Sequence, residues 1–297
     1  MTKRSSQPER FEPLRSKPAA VIVGVRRMRI RCLIAGAGPD PVVLLHGGGI
    51  DSATLTYRHA LLALAPRHRV YAPDWPGYGR SGAPDGTPDL AFHVDLLESL
   101  LDTLGLAQAS LVGISLGGGA ALGLALRRPQ RVRRLVLVAS YGLGRAVPWG
   151  ALGTLLVRLP GLAGLSWAVL RRNRALLRRA LVGVVADPAV LTDELVDDAW
   201  AALRRPDVGR AFGGFQRAEV GWRGLRSDFS ARLGELAMPV LLVHGAHDRS
   251  VPAAWAQRAA HAIPNAQLHL FEQSGHWPPR EEPERFAQIL TAFLQDG

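Results

Sequence analysis

The 297-residue chain holds one cysteine, Cys32, so it can form no intrachain disulfide and no thiolate cluster for zinc. That suits a reducing compartment, and a cytoplasmic location is expected. Lysine is nearly absent as well, confined to Lys3 and Lys17, while 36 basic residues outnumber 25 acidic ones for a formal net charge of +11. The excess is arginine scattered among Ala, Leu and Gly without interleaved aromatics, so no nucleic-acid partner is read from it. No apolar run is long enough to cross a membrane: the most apolar stretch, Leu152 to Leu170, is broken by Arg158 and Pro160. Residues 1–20, rich in Pro, Ser and Arg, lack the apolar core of a secretory signal and read as a flexible tail. With 47% hydrophobic and 21% charged residues, global disorder, collagen and coiled coil are excluded. One large domain carrying an insertion is expected.

After the tail, short β-branched runs alternate with Ala/Leu-rich stretches of helical period, the pattern of an α/β fold whose strands are joined by crossover helices. Strands are predicted at Val21 to Val25, Met28 to Ile34, Pro41 to His46, Val70 to Ala72, Leu111 to Gly113, Leu135 to Ala139, Val240 to His244 and Leu268 to Phe271. Between them, helices are predicted at Ala53 to Ala65, Leu90 to Leu104, Leu116 to Arg127, Ala253 to Ala262 and Pro283 to Leu294. The alternation stops over residues 142–232, where short apolar clusters at helical spacing are punctuated by Pro160, Pro188 and Pro206. We read these residues as a helical lid inserted between two core segments, 21–141 and 233–297. Arg171, Arg172, Arg174, Arg178 and Arg179 cluster there among Leu and Val, and read as a solvated basic face rather than a membrane anchor. No stable membrane insertion is expected, and a homo-oligomer is compatible with the composition.

The sharpest local signal is Gly113-Ile114-Ser115-Leu116-Gly117, set between a strand and an Ala/Leu helix. A serine held on a tight strand-to-helix turn needs small residues two positions to either side, and Gly113 and Gly117 supply them. A hydroxyl becomes a useful nucleophile only when a base takes its proton, and that base needs a carboxylate to fix its tautomer. His276, in a loop after the last strand, and Asp248, at the end of the preceding one, supply both in the chain order Ser, Asp, His. His247 is a weaker candidate for the base, and Asp228 is the rival for the acid. His46-Gly47-Gly48-Gly49 follows a strand directly, so the N–H groups of Gly48 and Gly49, with that of Leu116, form a candidate oxyanion hole. His46 and Asp74 are assigned structural roles, bracing that loop and fixing the Asp74 to Ser81 turn. No phosphate-loop or dinucleotide pattern accompanies the glycines, and no His-Glu-x-x-His spacing is present, so neither cofactor nor metal is expected.

In order and spacing, His46 to Gly49, Asp74 to Ser81, Gly113 to Gly118, His244 to Asp248 and Gly275-His276 resemble the α/β-hydrolase superfamily over nearly the whole chain after the tail. The resemblance implies a mostly parallel eight-stranded sheet with helices on both faces, a helical lid, and a small-molecule substrate cleaved by Ser115, His276 and Asp248. A serine at this position separates the chain from haloalkane dehalogenases and epoxide hydrolases, which place an aspartate there. The triple glycine, Tyr141-Gly142-Leu143-Gly144, Leu191 to Leu195 and His276-Trp277 are similar to meta-cleavage product hydrolases, which cut carbon–carbon bonds of vinylogous diketo acids. By this similarity Ile114, Trp200 and Trp277 line the pocket. Two positions depart from that branch: Ile114 stands where an Asn is usual, and Ala199, before Trp200, stands where the lid supplies an Arg for the substrate carboxylate. Arg204, Arg205 and Arg210 are the candidate substitutes. With these departures the expected substrate is a carboxylic ester, thioester or lactone, the alternative is carbon–carbon hydrolysis, and the third reading is a non-catalytic ligand-binding protein on the same fold.

Overall fold

Alternate residues of the central strands fall in two different cores, as a pleated period of two requires when a sheet is covered on both faces. Val43, Leu111, Leu135 and Leu242 pack on one side, and Val42, Val112, Val136 and Leu241 on the other. These are properties of a computed structural model that describes residues 18–295 apart from Trp149, Pro160 and Pro206. The tail expected over residues 1–20 lies outside the described residues up to residue 17. Ala19 and Ala20 already belong to the first strand, a correction of two residues made by their pairing with Ile34 and Leu33.

The strands are β1 (Ala19–Val25), β2 (Met28–Ala35), β3 (Pro41–Leu45), β4 (Arg69–Pro73), β5 (Ala109–Ile114), β6 (Val132–Val138), β7 (Val220–Gly221), β8 (Gly224–Leu225), β9 (Val240–Gly245) and β10 (Ala266–Phe271). Eight of them form one sheet in the order β1-β2-β4-β3-β5-β6-β9-β10. Pairing is parallel from β4 onward, and β2 runs antiparallel to both β1 and β4. The expected mostly parallel eight-stranded sheet is therefore present. Cys32 sits buried in β2 as a free thiol, pushed up to about 12 chiefly by burial and so inert as a thiolate.

The helices are α1 (Ala53–Leu64), α2 (Leu90–Thr103), α3 (Leu116–Arg127), α4 (Gly150–Arg158), α5 (Leu162–Leu170), α6 (Arg174–Leu181), α7 (Asp193–Leu203), α8 (Val208–Glu219), α9 (Ala253–Ala262), α10 (Pro278–Glu281) and α11 (Pro283–Gln295). α2, α3 and α9 cover one face of the sheet, and α1 and α11 the other. Their starts follow the capping chemistry of short polar side chains: Ser52 Oγ accepts the Leu55 N–H before α1, and Asp89 Oδ1 accepts the Phe92 N–H before α2.

Helices α4 to α8 form the insertion between β6 and β9. It is not wholly helical as the sequence suggested, because β7 and β8 pair antiparallel around a turn in which Gly224 takes φ +111°. Pro188 opens a 3₁₀ turn, whereas Pro160 and Pro206 lie outside the described residues. No helix is long and apolar enough to cross a membrane among the described residues.

Candidate active site

The parallel strands β3, β5, β9 and β10 lead at their carboxyl ends into the candidate site residues. β5 runs straight into Ser115, which takes φ +51° and ψ −117°, a strained backbone for a residue with a side chain. The strain is held by hydrogen bonds: the Ser115 N–H donates to Val138 O at 3.0 Å, and its carbonyl accepts the N–H groups of Gly119 and Tyr141, each at 3.0 Å. A side chain at Gly113 would collide with the backbone of Gly117, and one at Gly117 with the carbonyls of Leu45 and His46. That close approach is why the turn needs glycine on both sides of the serine. α3 begins at Leu116, so Ser115 sits at the helix start, where the first N–H groups have no intrahelical partner.

β9 ends at Gly245, and Asp248 follows it with a side chain removed from solvent. Asp248 Oδ2 lies 2.7 Å from His276 Nδ1. Its Oδ1 accepts the N–H groups of Ser250 at 2.7 Å and Val251 at 2.9 Å. A second imidazole reaches the same carboxylate: His244 Nε2 donates to Val251 O at 3.0 Å and lies 3.3 Å from Asp248 Oδ2. His244 is thus a buried strand residue whose ring reaches Asp248. Burial raises the Asp248 pKa, but the His276 charge and the hydrogen bonds from His244, His276 and Val251 outweigh it and hold the carboxyl well below its usual range. For His276, burial lowers the pKa, while the Asp248 charge and hydrogen bond, with Asp51 and Glu281 farther off, raise it to a net value above the ordinary one. Asp248 is ionised, so the imidazole carries its proton on Nδ1 and leaves Nε2 free to accept one.

The loop bearing His276 is clamped from both sides. Glu281 Oε1 and Oε2 accept the N–H of Gly275 at 2.9 Å each, Oε1 that of Trp277 at 3.0 Å, and Oε2 that of Ala186 at 2.6 Å. The His276 N–H donates to Val184 O at 2.7 Å, so the insertion itself holds the histidine backbone. Trp277 Nε1 donates to Thr56 Oγ1 at 2.7 Å, and that hydroxyl donates to Asp51 Oδ1 at 2.7 Å.

Asp51 completes the link to the glycine loop. Its Oδ2 accepts the Gly47 N–H at 2.7 Å, so that amide is occupied, and Gly48 and Gly49 after it line the cavity. Burial raises the Asp51 pKa against the pull of His46, Thr56 and the Ser52 and Gly47 amides. Gly49 takes φ +74°, the left-handed turn that glycine allows. A Cβ on Gly48 would meet the Phe212 ring at 2.7 Å, so the insertion closes tightly over this loop. His46 braces it as expected: Nδ1 lies 2.7 Å from Gly47 O and carries the proton, because Nε2 accepts the Trp75 N–H at 2.9 Å. Asp74 also fills its structural role, accepting Ala53 and Arg80 N–H groups and pairing with Arg31 at 3.0 Å.

Ser115, His276, Gly48, Gly49, Ile114 and Trp277 all line one cavity of about 390 Å³. Four of the other expected residues are not brought there. Trp200 packs, partly buried, against the cluster beneath α1 and α11, and Ala199 is buried in that cluster, because α7 turns its apolar face to α1 and not to the cavity. Asp228 Oδ1 accepts the Ser230 N–H in a surface turn, and His247 is exposed beside Asp248. The aromatic wall comes instead from Trp167, Phe212 and Trp255, which no local pattern marked out. At the far end Glu219, buried, accepts the Leu90 N–H, the Tyr141 hydroxyl at 2.9 Å and the Ser227 N–H, tying α8 to the core. Neither lysine nor arginine is among the described residues that line the cavity. Arg204 and Arg210 are exposed, Arg210 lying 3.5 Å from Asp207, and the Arg205 carbonyl accepts a hydrogen bond from Arg171. No three His, Cys, Asp or Glu side chains converge as a metal-binding group among the described residues.

The chain is similar in sequence and fold to known proteins. The family model for the α/β-hydrolase fold matches residues 40–283. The chain is 36% identical over 260 residues, 86% of its length and 88% of the relative's, to a 2-hydroxymuconate semialdehyde hydrolase of Pseudomonas putida. A meta-cleavage product hydrolase from Pseudomonas fluorescens, 27% identical, superposes with a TM-score of 0.78 over 92% of this chain and 97% of that one. A carboxylesterase from Bacillus subtilis, 23% identical, shares the fold at a TM-score of 0.77 over 95% and 93% of the two chains.

Proposed function

This chain belongs to the α/β-hydrolase family, and on that footing we propose that it is a serine hydrolase with Ser115 as nucleophile, His276 as base and Asp248 as the acid that orients it. The observation that carries the reading is the 2.7 Å pair of Asp248 and His276, with His276 lining the same cavity as a serine on a strained turn at a helix start. In this mechanism His276 Nε2 takes the hydroxyl proton as Ser115 Oγ attacks a carbonyl carbon. Asp248 stabilises the imidazolium, and the oxyanion is met by the Gly48 and Leu116 N–H groups. The proton then passes from Nε2 to the leaving group, and water admitted on the same histidine hydrolyses the acyl-enzyme.

The cavity lining favours a neutral acyl substrate: a carboxylic ester, thioester or lactone. Its acidic and basic side chains are Asp51, Glu219 and the neutral imidazole of His276, and a substrate carboxylate buried there would lack a cation. A second reading, carbon–carbon hydrolysis of a vinylogous diketo acid, is favoured by the relatives, whose names point to it more than to ester hydrolysis. The Ile114 side chain cannot donate a hydrogen bond, and no arginine among the described residues lines the cavity, so a dienol carboxylate loses two charge-assisted partners worth about 1.5 to 3 kcal/mol each. Recognition then weakens by about two to four orders of magnitude. Steady-state kinetics on p-nitrophenyl esters of medium chain length and on a dienol carboxylate separate the two. A higher kcat/KM for the best ester is expected, and an equal or higher value for the dienol carboxylate would assign the chain to carbon–carbon hydrolysis.

A further inference from the structure

Every charged residue between Gly142 and Ala186 is an arginine. The same segment carries an apolar surface: Leu152 and Leu155 on α4, Leu159 just past its end, and Leu165 and Val169 on α5 are all more than two-fifths exposed, Leu165 reaching 63%. Their spacings of three and four residues put each set on one stripe of its helix. The stripes face away from the cavity, since α5 turns Trp167 inward, where it packs edge-on against Phe212 at 6.3 Å and forms part of the cavity wall. Trp222, 67% exposed, adjoins α4 through Arg158, whose guanidinium lies 5.5 Å from its ring centroid.

Five of the segment's arginines fall between Arg171 and Arg179, and three of these five are engaged. Arg174 pairs with Asp193 and Asp197, and Arg178 with Asp193, so they fasten α6 to α7. Arg171 turns to the Leu203 and Arg205 carbonyls. Arg172 and Arg179 are exposed and have no acidic partner among the described residues. The basic cluster is thus largely internal wiring, but Arg172, just after α5, and Arg179, on α6, keep their charge exposed in the same segment as the apolar surface.

We propose that the outer face of α4 and α5, with Trp222, docks on an anionic lipid surface. Leucines, one tryptophan and arginines on one side of short helices suit the boundary between acyl chains and negatively charged headgroups. Each helix has nine residues, so the protein lies on the bilayer without spanning it. Charge decides against a second copy of the chain, because a two-fold pairing of this face would set arginines against arginines with no acid between Gly142 and Ala186 to meet them. One helix, α5, would then separate the lipid phase from the cavity, with Leu165 and Val169 on one side and Trp167 on the other. Docking does not depend on the chemistry at Ser115.

Co-sedimentation of the full chain with phosphatidylglycerol-rich vesicles, against phosphatidylcholine vesicles, tests this. Binding to the anionic vesicles is expected, with partitioning at least about ten-fold weaker for the double variant L155D/L165D. R172Q/R179Q should weaken it by roughly five-fold per charge and reduce its salt dependence. An unchanged thermal midpoint confirms that these surface variants fold. The proposal is overturned if the chain stays in the supernatant or if L155D/L165D binds like wild type. It is equally overturned if sedimentation velocity finds a dimer that L155D/L165D dissolves while vesicles capture nothing.

Discussion

Ser115→Ala is expected to lower kcat by about 10⁶-fold, the scale on which a serine hydrolase loses its attacking atom. The residual rate would come from binding and from the Gly48 and Leu116 N–H groups, which the substitution leaves in place. Alanine keeps the Cβ, so it keeps the strain of φ +51° and the hydrogen bonds through the Ser115 backbone to Val138, Gly119 and Tyr141. The thermal midpoint and KM should therefore change little while kcat collapses. Steady-state kinetics on the best ester, with a melting curve on the same preparation, measures both. Turnover near the wild-type rate would exclude Ser115 as nucleophile.

Asp248→Asn is expected to cost about 10⁴-fold in kcat. The hydrogen bonds define why. The Ser250 and Val251 N–H groups hold Oδ1 and will hold the amide oxygen, which leaves the amide NH₂ where Oδ2 faces His276 Nδ1. A donor there forces the imidazole into the tautomer with its proton on Nε2, which cannot then accept the serine proton. The pH dependence follows from the same pair. In wild type the His276 pKa is raised, so the acid limb of kcat/KM should lie above the ordinary histidine value of about 6.5, because the base must be neutral. Removing the Asp248 charge takes away the chief contribution that raises it, so the residual activity of the variant should have its acid limb at lower pH. A mild kinetic loss, or a limb that moves upward, would contradict the assignment of Asp248.

The sequence carried the sheet, its crossover helices and the Ser115, Asp248 and His276 positions because each depends on local rules. Buried parallel strands read as β-branched runs, and β5 and β9 are buried at every residue. The serine turn announces itself through Gly113 and Gly117, which the close approach of Leu45, His46 and Gly117 backbone makes obligatory. Residues in the insertion lacked such a signal. Trp200 and Phe212 both lie on amphipathic helices, and only the tertiary packing of α7 on α1 and of α8 on the glycine loop decides which of them sees the cavity. Asp51 and Glu281 were hidden differently. Each acts through backbone amides a few residues away, at Gly47 and at Gly275 and Trp277, and an acidic residue in a loop has many local uses. An acid four residues after Gly47, and another four after Trp277, are the only sequence marks they left.

Covalent labelling with a fluorophosphonate tests the central claim most directly, since phosphonylation requires a serine whose proton a neighbouring base removes. Intact-mass and peptide analysis should find one adduct per chain, on the peptide bearing Ser115, absent from Ser115→Ala and much slower to form in Asp248→Asn. A chain that binds its ligands but leaves Ser115 unlabelled, or an adduct that persists in Ser115→Ala, would contradict it.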